Sequence, residues 1–228
     1  MSNLPSGVLT NLVTPLNEMQ LLFLVIGLFF LSPIQTASAG ENSVTKILIL
    51  GDSLSAAYNI PVEQSWPEIF SSNIRTSFAQ TSVVNASISG ETTFGGLQRL
   101  ERLLDKHHPS HLIIELGGND GLRGLDFRQT KQNLNQMISL ATRQSIAVMI
   151  IGVRMPPNFG AAYNQRFQQI FETVSAQHNI HYLPKFLEGI ALGGAKYMQN
   201  DGIHPTAAAQ PMLADKVLNA FKALMAQL

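Results

Sequence analysis

Lys46-Ile47-Leu48-Ile49-Leu50-Gly51-Asp52-Ser53 decides the architecture. Ile47 to Leu50 are β-branched or Leu without a polar break, the pattern of a strand buried on both faces and therefore of a parallel sheet covered by helices. The run stops at Gly51-Asp52-Ser53, residues that favour a turn. Similar short runs recur at 82–86 (SVVNA), 111–116 (HLIIEL), 147–153 (AVMIIGV) and, more weakly, 180–183 (IHYL). Between them, residues 66–78, 93–106, 126–144, 161–177 and 206–228 carry apolar positions at helical spacing. In the last of these, Leu213, Val217, Ala220, Phe221, Leu224 and Leu228 share a face. Asp126 with Gln129 predicts a capping pair, and Pro109 closes the helix before the third strand. Alternating strands and helices predict an α/β fold of three layers, a doubly wound parallel sheet of about five strands.

Composition narrows the function. The chain has 228 residues, 45% hydrophobic and 13% charged, which suits one well-packed domain. Lys+Arg and Asp+Glu number 15 each, so no net field attracts nucleic acid, and nucleic-acid binding is set aside. The absence of Cys excludes disulfides, thiolate nucleophiles, Cys-ligated metals and a lipid anchor on Cys. Leu21 to Ser32 reads LLFLVIGLFFLS and is followed by Ala37-Ser38-Ala39. An apolar core shorter than the ~20 residues of a membrane span, followed by a small-x-small site, predicts a cleaved signal peptide over residues 1–39. The mature domain is then 40–228, in a periplasmic or secreted protein. The segment before Leu21 has Glu18 and no Lys or Arg, which points to translation from Met19. A buried helix and an uncleaved anchor are the competing readings of the same run.

In open parallel sheets the functional groups gather beyond the carboxyl ends of the strands. Ser53 follows the first strand, Gly90 the second and Asn119 the third; Asp201 and His204 follow the fifth and an irregular stretch. All are expected on one rim. A serine hydroxyl is a weak nucleophile until a base takes its proton, and His is the usual base, so Ser53 and His204 pair as nucleophile and base. Asp201, three positions before His204, supplies the carboxylate that fixes the ring's tautomer. The backbone N–H groups of Ser53 and Gly90 and the amide of Asn119 are candidate oxyanion donors, Gly90 letting the backbone approach a substrate closely. Position 55 is Ser, so G-x-S-x-G is absent and the site differs from the α/β-hydrolase elbow.

These blocks resemble the SGNH (GDSL) hydrolase superfamily: Gly-Asp-Ser-Leu at Ser53, then Gly90, Asn119 and Asp-x-x-His-Pro at Asp201 and His204. VVNASISGETT, ELGGNDGLRG and NDGIHPTAAAQP are similar to the bacterial periplasmic thioesterase I / protease I / lysophospholipase group, also described as arylesterases. The resemblance spans Lys46 to the end. It implies a flavodoxin-like sheet, Ser53, Asp201 and His204 as the triad, and Ser53, Gly90 and Asn119 as the oxyanion hole. It also implies hydrolysis of acyl thioesters, lysophospholipids and simple or aryl esters without a cofactor. The groove is placed by resemblance at residues 120–125 and 156–160, with Asp120, Leu122, Leu125, Met155 and Phe159 as substrate-binding candidates.

Other readings remain beside these. Asp52 and Asp120 are read first as loop-organising carboxylates. His107, His108 and His111 are a helix end and a strand start rather than a metal set, because Pro109 breaks the helix that would align them. His178, His181 and Trp66 are read as structural, and Tyr58 and Phe159 as groove or packing aromatics. A carbohydrate O-deacetylase and a non-catalytic acyl carrier are the alternative functions. The expected partner is a small acyl ester or thioester, with no metal and a monomeric chain.

Overall fold

The computed structural model describes residues 44–227, so the expected signal segment, 1–39, lies outside the described residues. Strand β1 (Thr45–Gly51) is followed by helix α1 (Trp66–Ser77), β2 (Thr81–Asn85), α2 (Thr93–His107) and β3 (His111–Glu115). A short α3 (Gly118–Leu122), α4 (Phe127–Thr142), β4 (Ala147–Ile151), α5 (Ala161–His178), β5 (His181–Leu183) and α6 (Gln210–Met225) complete the order. The five strands are all parallel, in the order β2-β1-β3-β4-β5. That order is the flavodoxin-like one, in which the chain reverses direction across the sheet between β1 and β3.

Burial explains the unbroken apolar runs. Ile47 to Leu50 and Leu112 to Ile114 are fully buried, because helices cover both faces of these inner strands. Helices α1 and α6 pack on each other on one side, while α2, α4 and α5 form the other layer. Edge strand β5 has only three residues, each half-buried, which accounts for its weak pattern.

Local signals act as their chemistry predicts, with two corrections. Asp126 caps α4 by accepting from Arg128 N–H at 2.9 Å. Gln129 does not reach back to complete the pair; its amide donates to Asn133 Oδ1 one turn on, at 2.9 Å. Helix α2 ends on left-handed His108, φ 45°, just before Pro109. The last helix starts at Gln210 rather than Thr206, after a 3-10 turn at Ala207–Ala209. Trp66 is fully buried, and its role is wider than packing: its indole N–H donates to the Leu54 carbonyl at 3.0 Å and so holds the turn after β1.

Candidate active site

Ser53 stands on a short braced turn at the carboxyl end of β1. The Asp52 carbonyl accepts from Ser55 N–H at 3.2 Å and Ala56 N–H at 2.9 Å, and Asp52 Oδ1 accepts from Leu54 N–H at 3.0 Å. Gly51 is required by space, since a Cβ there would lie 2.7 Å from Ser55 Oγ and 2.8 Å from Ser87 Oγ.

The opposing group comes from a segment that folds back on itself. Gln199 N–H donates to the His204 carbonyl at 2.8 Å, Thr206 N–H to the Tyr197 carbonyl at 2.9 Å, and Met198 bridges Pro205. Asp201 Oδ1 accepts the backbone N–H groups of Ile203 and His204, both at 2.9 Å, leaving Oδ2 to meet His204 Nδ1 at 2.7 Å. His204 Nε2 lies 2.8 Å from Ser53 Oγ. With the Nδ1 proton committed to Asp201, the Nε2 lone pair faces the Ser53 hydroxyl. Burial raises the Asp201 carboxyl, but donation from the His204 backbone and ring and from Ile203 outweighs it and holds the group below its usual value. The ring of Tyr58 lies against that of His204, with centroids 4.2 Å apart.

Two of the three candidate oxyanion donors, Ser53 and Gly90, sit on loops, and Asn119 on a short helix. Among the described residues, neither Ser53 N–H nor Gly90 N–H donates to another protein group, so both remain available. The loop bearing Gly90 is tied to β1 through Ile88 N–H and the Gly51 carbonyl at 3.0 Å, and Arg123 Nη2 donates to the Gly90 carbonyl at 2.9 Å. Gly90 has φ +80°, and a Cβ there would meet only Arg123 Nη2, at 3.5 Å. Within the protein, the left-handed backbone rather than crowding is what demands Gly at this position. Asn119 lies in α3, which starts from Gly117 at φ +113°, and its Nδ2 donates to Asp52 Oδ2 at 3.0 Å.

Ser53, Asp52 and Asn119 line a cavity of about 810 Å³, within the range of small-molecule sites. Leu54, Leu122, Val153, Met155, Leu187 and Leu192 give it an apolar wall, and Asn164, Gln165 and Gln168 a polar one. Of the proposed groove residues, Leu122 and Met155 stand on this lining, whereas Asp120, Leu125 and Phe159 do not. Leu125 is exposed on the outer side of the loop, and Phe159 packs on Tyr163 with ring centroids 5.3 Å apart. Asp120 is buried and accepts from Thr93 N–H at 2.9 Å and from the hydroxyls of Thr93 and Thr130, tying α3 to α2 and α4. It organises the loop. Leu187, Leu192 and the α5 glutamines escaped the sequence reading, because an irregular stretch and a helix flank give no periodic signal of a shared cavity.

Behind the site lies a pair of buried acids. Glu115 is fully buried at the end of β3, beside Gly51 in register, and its carboxyl meets that of Asp52. Burial, and then the charge of Asp52, push Glu115 well above its usual value; burial likewise raises Asp52 to about 6, against donation from Leu54 and Asn119. Unfolded Asp and Glu titrate near 4. The folded state therefore binds these protons more tightly than the unfolded one, and stability falls as pH rises from about 4 through about 6 and beyond. Glu115→Gln is neutral at every pH, so its Tm gain over wild type is expected to be larger near about pH 8 than near about pH 5. Equal gains at both values would mean that Glu115 titrates as it does in water.

Outside the site, His107 is the last residue of α2. His111 opens β3, and His178 Nε2 meets Asn135 Oδ1 at 3.0 Å. No group of three or more potential metal ligands occurs among the described residues.

Residues 49–210 match the GDSL-like lipase/acylhydrolase family. The chain belongs to this family. As an acylhydrolase it is 41% identical over 180 residues to an arylesterase of Vibrio mimicus, covering 79% of this chain and 90% of the relative. It is 42% identical to thioesterase 1/protease 1/lysophospholipase L1 of Escherichia coli K12, covering 74% and 79%. The crystal structure of TesA superposes with a TM-score of 0.76 at 42% identity, covering 79% of this chain and 99% of that one. The acylhydrolase is an esterase of the SGNH type, on the fold that its sequence predicts.

Proposed function

We propose that the protein is an exported serine esterase that forms an acyl-Ser53 intermediate and takes acyl thioesters, lysophospholipids and simple or aryl carboxylic esters. The observation that carries this reading is the unbroken line from Asp201 to His204 to Ser53, with contacts of 2.7 and 2.8 Å, ending on the lining of a cavity with an apolar wall.

In this reading Ser53 Oγ attacks the acyl carbon while its proton passes to His204 Nε2, and Asp201 stabilises the imidazolium. The carbonyl oxygen, now negative, receives the N–H groups of Ser53 and Gly90 and the amide of Asn119, each such donor being worth about 3 kcal/mol. Collapse of the adduct expels the alcohol or thiol, which leaves with the proton from His204. Water, deprotonated by the same nitrogen, then attacks the acyl carbon, releasing the acid and restoring Ser53.

The relatives' names point to aryl esters, thioesters and lysophospholipids. The wall formed by Leu122, Val153, Met155 and Leu187 suits an alkyl chain, since each buried methylene contributes about 0.8 kcal/mol. Turnover of p-nitrophenyl esters is accordingly expected to rise from acetate to octanoate, with octanoyl thioester also hydrolysed. An acetate-only profile would favour the carbohydrate O-deacetylase, and folded protein that resists fluorophosphonate labelling would favour the acyl carrier. Residues 1–39 are proposed as the signal peptide on the strength of the Leu21–Ser32 run and Ala37-Ser38-Ala39; an exported protein whose intact mass does not begin at Gly40 would refute the cleavage site.

A further inference from the structure

We propose that Glu115 is a positioning residue of the acyl-transfer site: through the side chain of Asp52 it fixes which way the Asn119 amide points. The inference rests on Asn119 acting as an oxyanion donor, and it assigns a task to a buried acid that the triad does not use.

An Asn side chain presents N–H groups at one end and a carbonyl oxygen at the other, with nearly the same shape. Only one orientation can serve an anion; the other would turn Oδ1 toward the developing charge and repel it. The selection is made by an acceptor. Asp52 Oδ2 takes one Nδ2–H of Asn119 at 3.0 Å, which directs the second hydrogen of the same nitrogen elsewhere, and both residues line the cavity beside Ser53. Asp52 itself has little freedom: it is 1% exposed, and its Oδ1 is held by Leu54 N–H at 3.0 Å.

Asp52 accepts through both oxygens, and most strongly, while it keeps its charge in a buried place, and Glu115 is the neighbour that permits this. Two adjacent buried carboxyls cannot both ionise, so the more deeply buried one keeps its proton and donates it to the other. Glu115 has the surroundings of that neutral acid. Its Oε2 accepts from Ser55 Oγ at 2.8 Å and Asp52 N–H at 3.4 Å, while its Oε1 meets no donor among the described residues. A charged carboxylate would leave that buried oxygen bare, whereas a carboxylic acid can carry its own hydrogen there. Among the described residues no Lys or Arg is bonded to either acid. Glu115 therefore touches the turn that carries Ser53 and the carboxylate that orients Asn119, from the adjoining strand end where Gly51 and Glu115 are in register.

A double-mutant cycle tests the coupling. Asn119→Ala is expected to lower kcat by about 100- to 1,000-fold. Glu115→Met, which fills the site without a donor, is expected to lower kcat by about 10- to 100-fold with KM little changed, and Glu115→Gln, which restores a donor and an acceptor, to recover most of that loss. In the Asn119→Ala background Glu115→Met should then change kcat by less than about 2-fold, because the group it acts through is gone. Full turnover in Asn119→Ala would instead remove the oxyanion role on which the inference rests. If Asn119→Ala is impaired but Glu115→Met lowers kcat equally in both backgrounds, or Gln recovers nothing, Glu115 is a packing residue and the inference fails. Should Glu115→Met not fold, Glu115→Leu, which also lacks a donor, runs the same cycle with the same criterion.

Discussion

Ser53→Ala is expected to lower ester turnover by about 10,000- to 1,000,000-fold while leaving the protein folded. The hydroxyl's side-chain contact among the described residues is with His204 Nε2, at 2.8 Å, so Ala removes a nucleophile and no structural hydrogen bond. The turn is held by other groups: the Asp52 carbonyl and Oδ1, and the Trp66 indole on the Leu54 carbonyl at 3.0 Å. The backbone N–H of residue 53 survives the substitution, so the binding of ester and part of the oxyanion site survive with it. The measurement is kcat on p-nitrophenyl butyrate beside the Tm, with fluorophosphonate adding its mass to wild type and not to the variant. Turnover within about 100-fold of wild type in a folded variant would mean that another group carries the chemistry.

How much of this was legible in the sequence depended on how local each feature is. Strand β1 and its inner neighbours declared themselves because burial on both faces permits no polar residue between Ile47 and Leu50. Asp201 and His204 were legible because three positions bring a carboxylate and a ring together within one turn, and the rim rule placed Ser53 opposite them. The short α3 was not: five residues with Gly at 118 and 121 cannot display a helical period, and what forms it is Asp120 bonded to Thr93 and Thr130 on other helices. The resemblance places Leu125 and Phe159 in groove-bearing loops, but a match of loops does not say which side chains of a loop face the cavity, and these two do not line it. Glu115 was invisible for a similar reason. In HLIIEL it reads as the polar end of a strand, and its meeting with Asp52 exists only through the pairing of β1 with β3.

Asp201→Asn should lower kcat by about 10,000-fold and damage turnover at least as much as Asp201→Ala. The reason lies in how the two carboxylate oxygens are divided. Oδ1 accepts two backbone N–H groups, from Ile203 and His204, each at 2.9 Å, and Oδ2 accepts from His204 Nδ1 at 2.7 Å. An Asn in this place has one oxygen, and the two backbone donors claim it. Its NH₂ is then left facing Nδ1, which must accept, so the ring proton moves to Nε2 and points at Ser53 Oγ. In that tautomer the imidazole has no lone pair for the serine proton. Ala imposes no such choice: the ring loses its anchor and the stabilisation of its positive form, but the Nδ1–H tautomer stays accessible. The order of the two variants therefore separates a role in setting the tautomer from a role through charge alone. Both remove the same charge, so a charge effect acting at a distance would lower kcat equally. Asp201→Asn retaining more turnover than Asp201→Ala would show that the backbone N–H groups do not dictate which way the side chain faces.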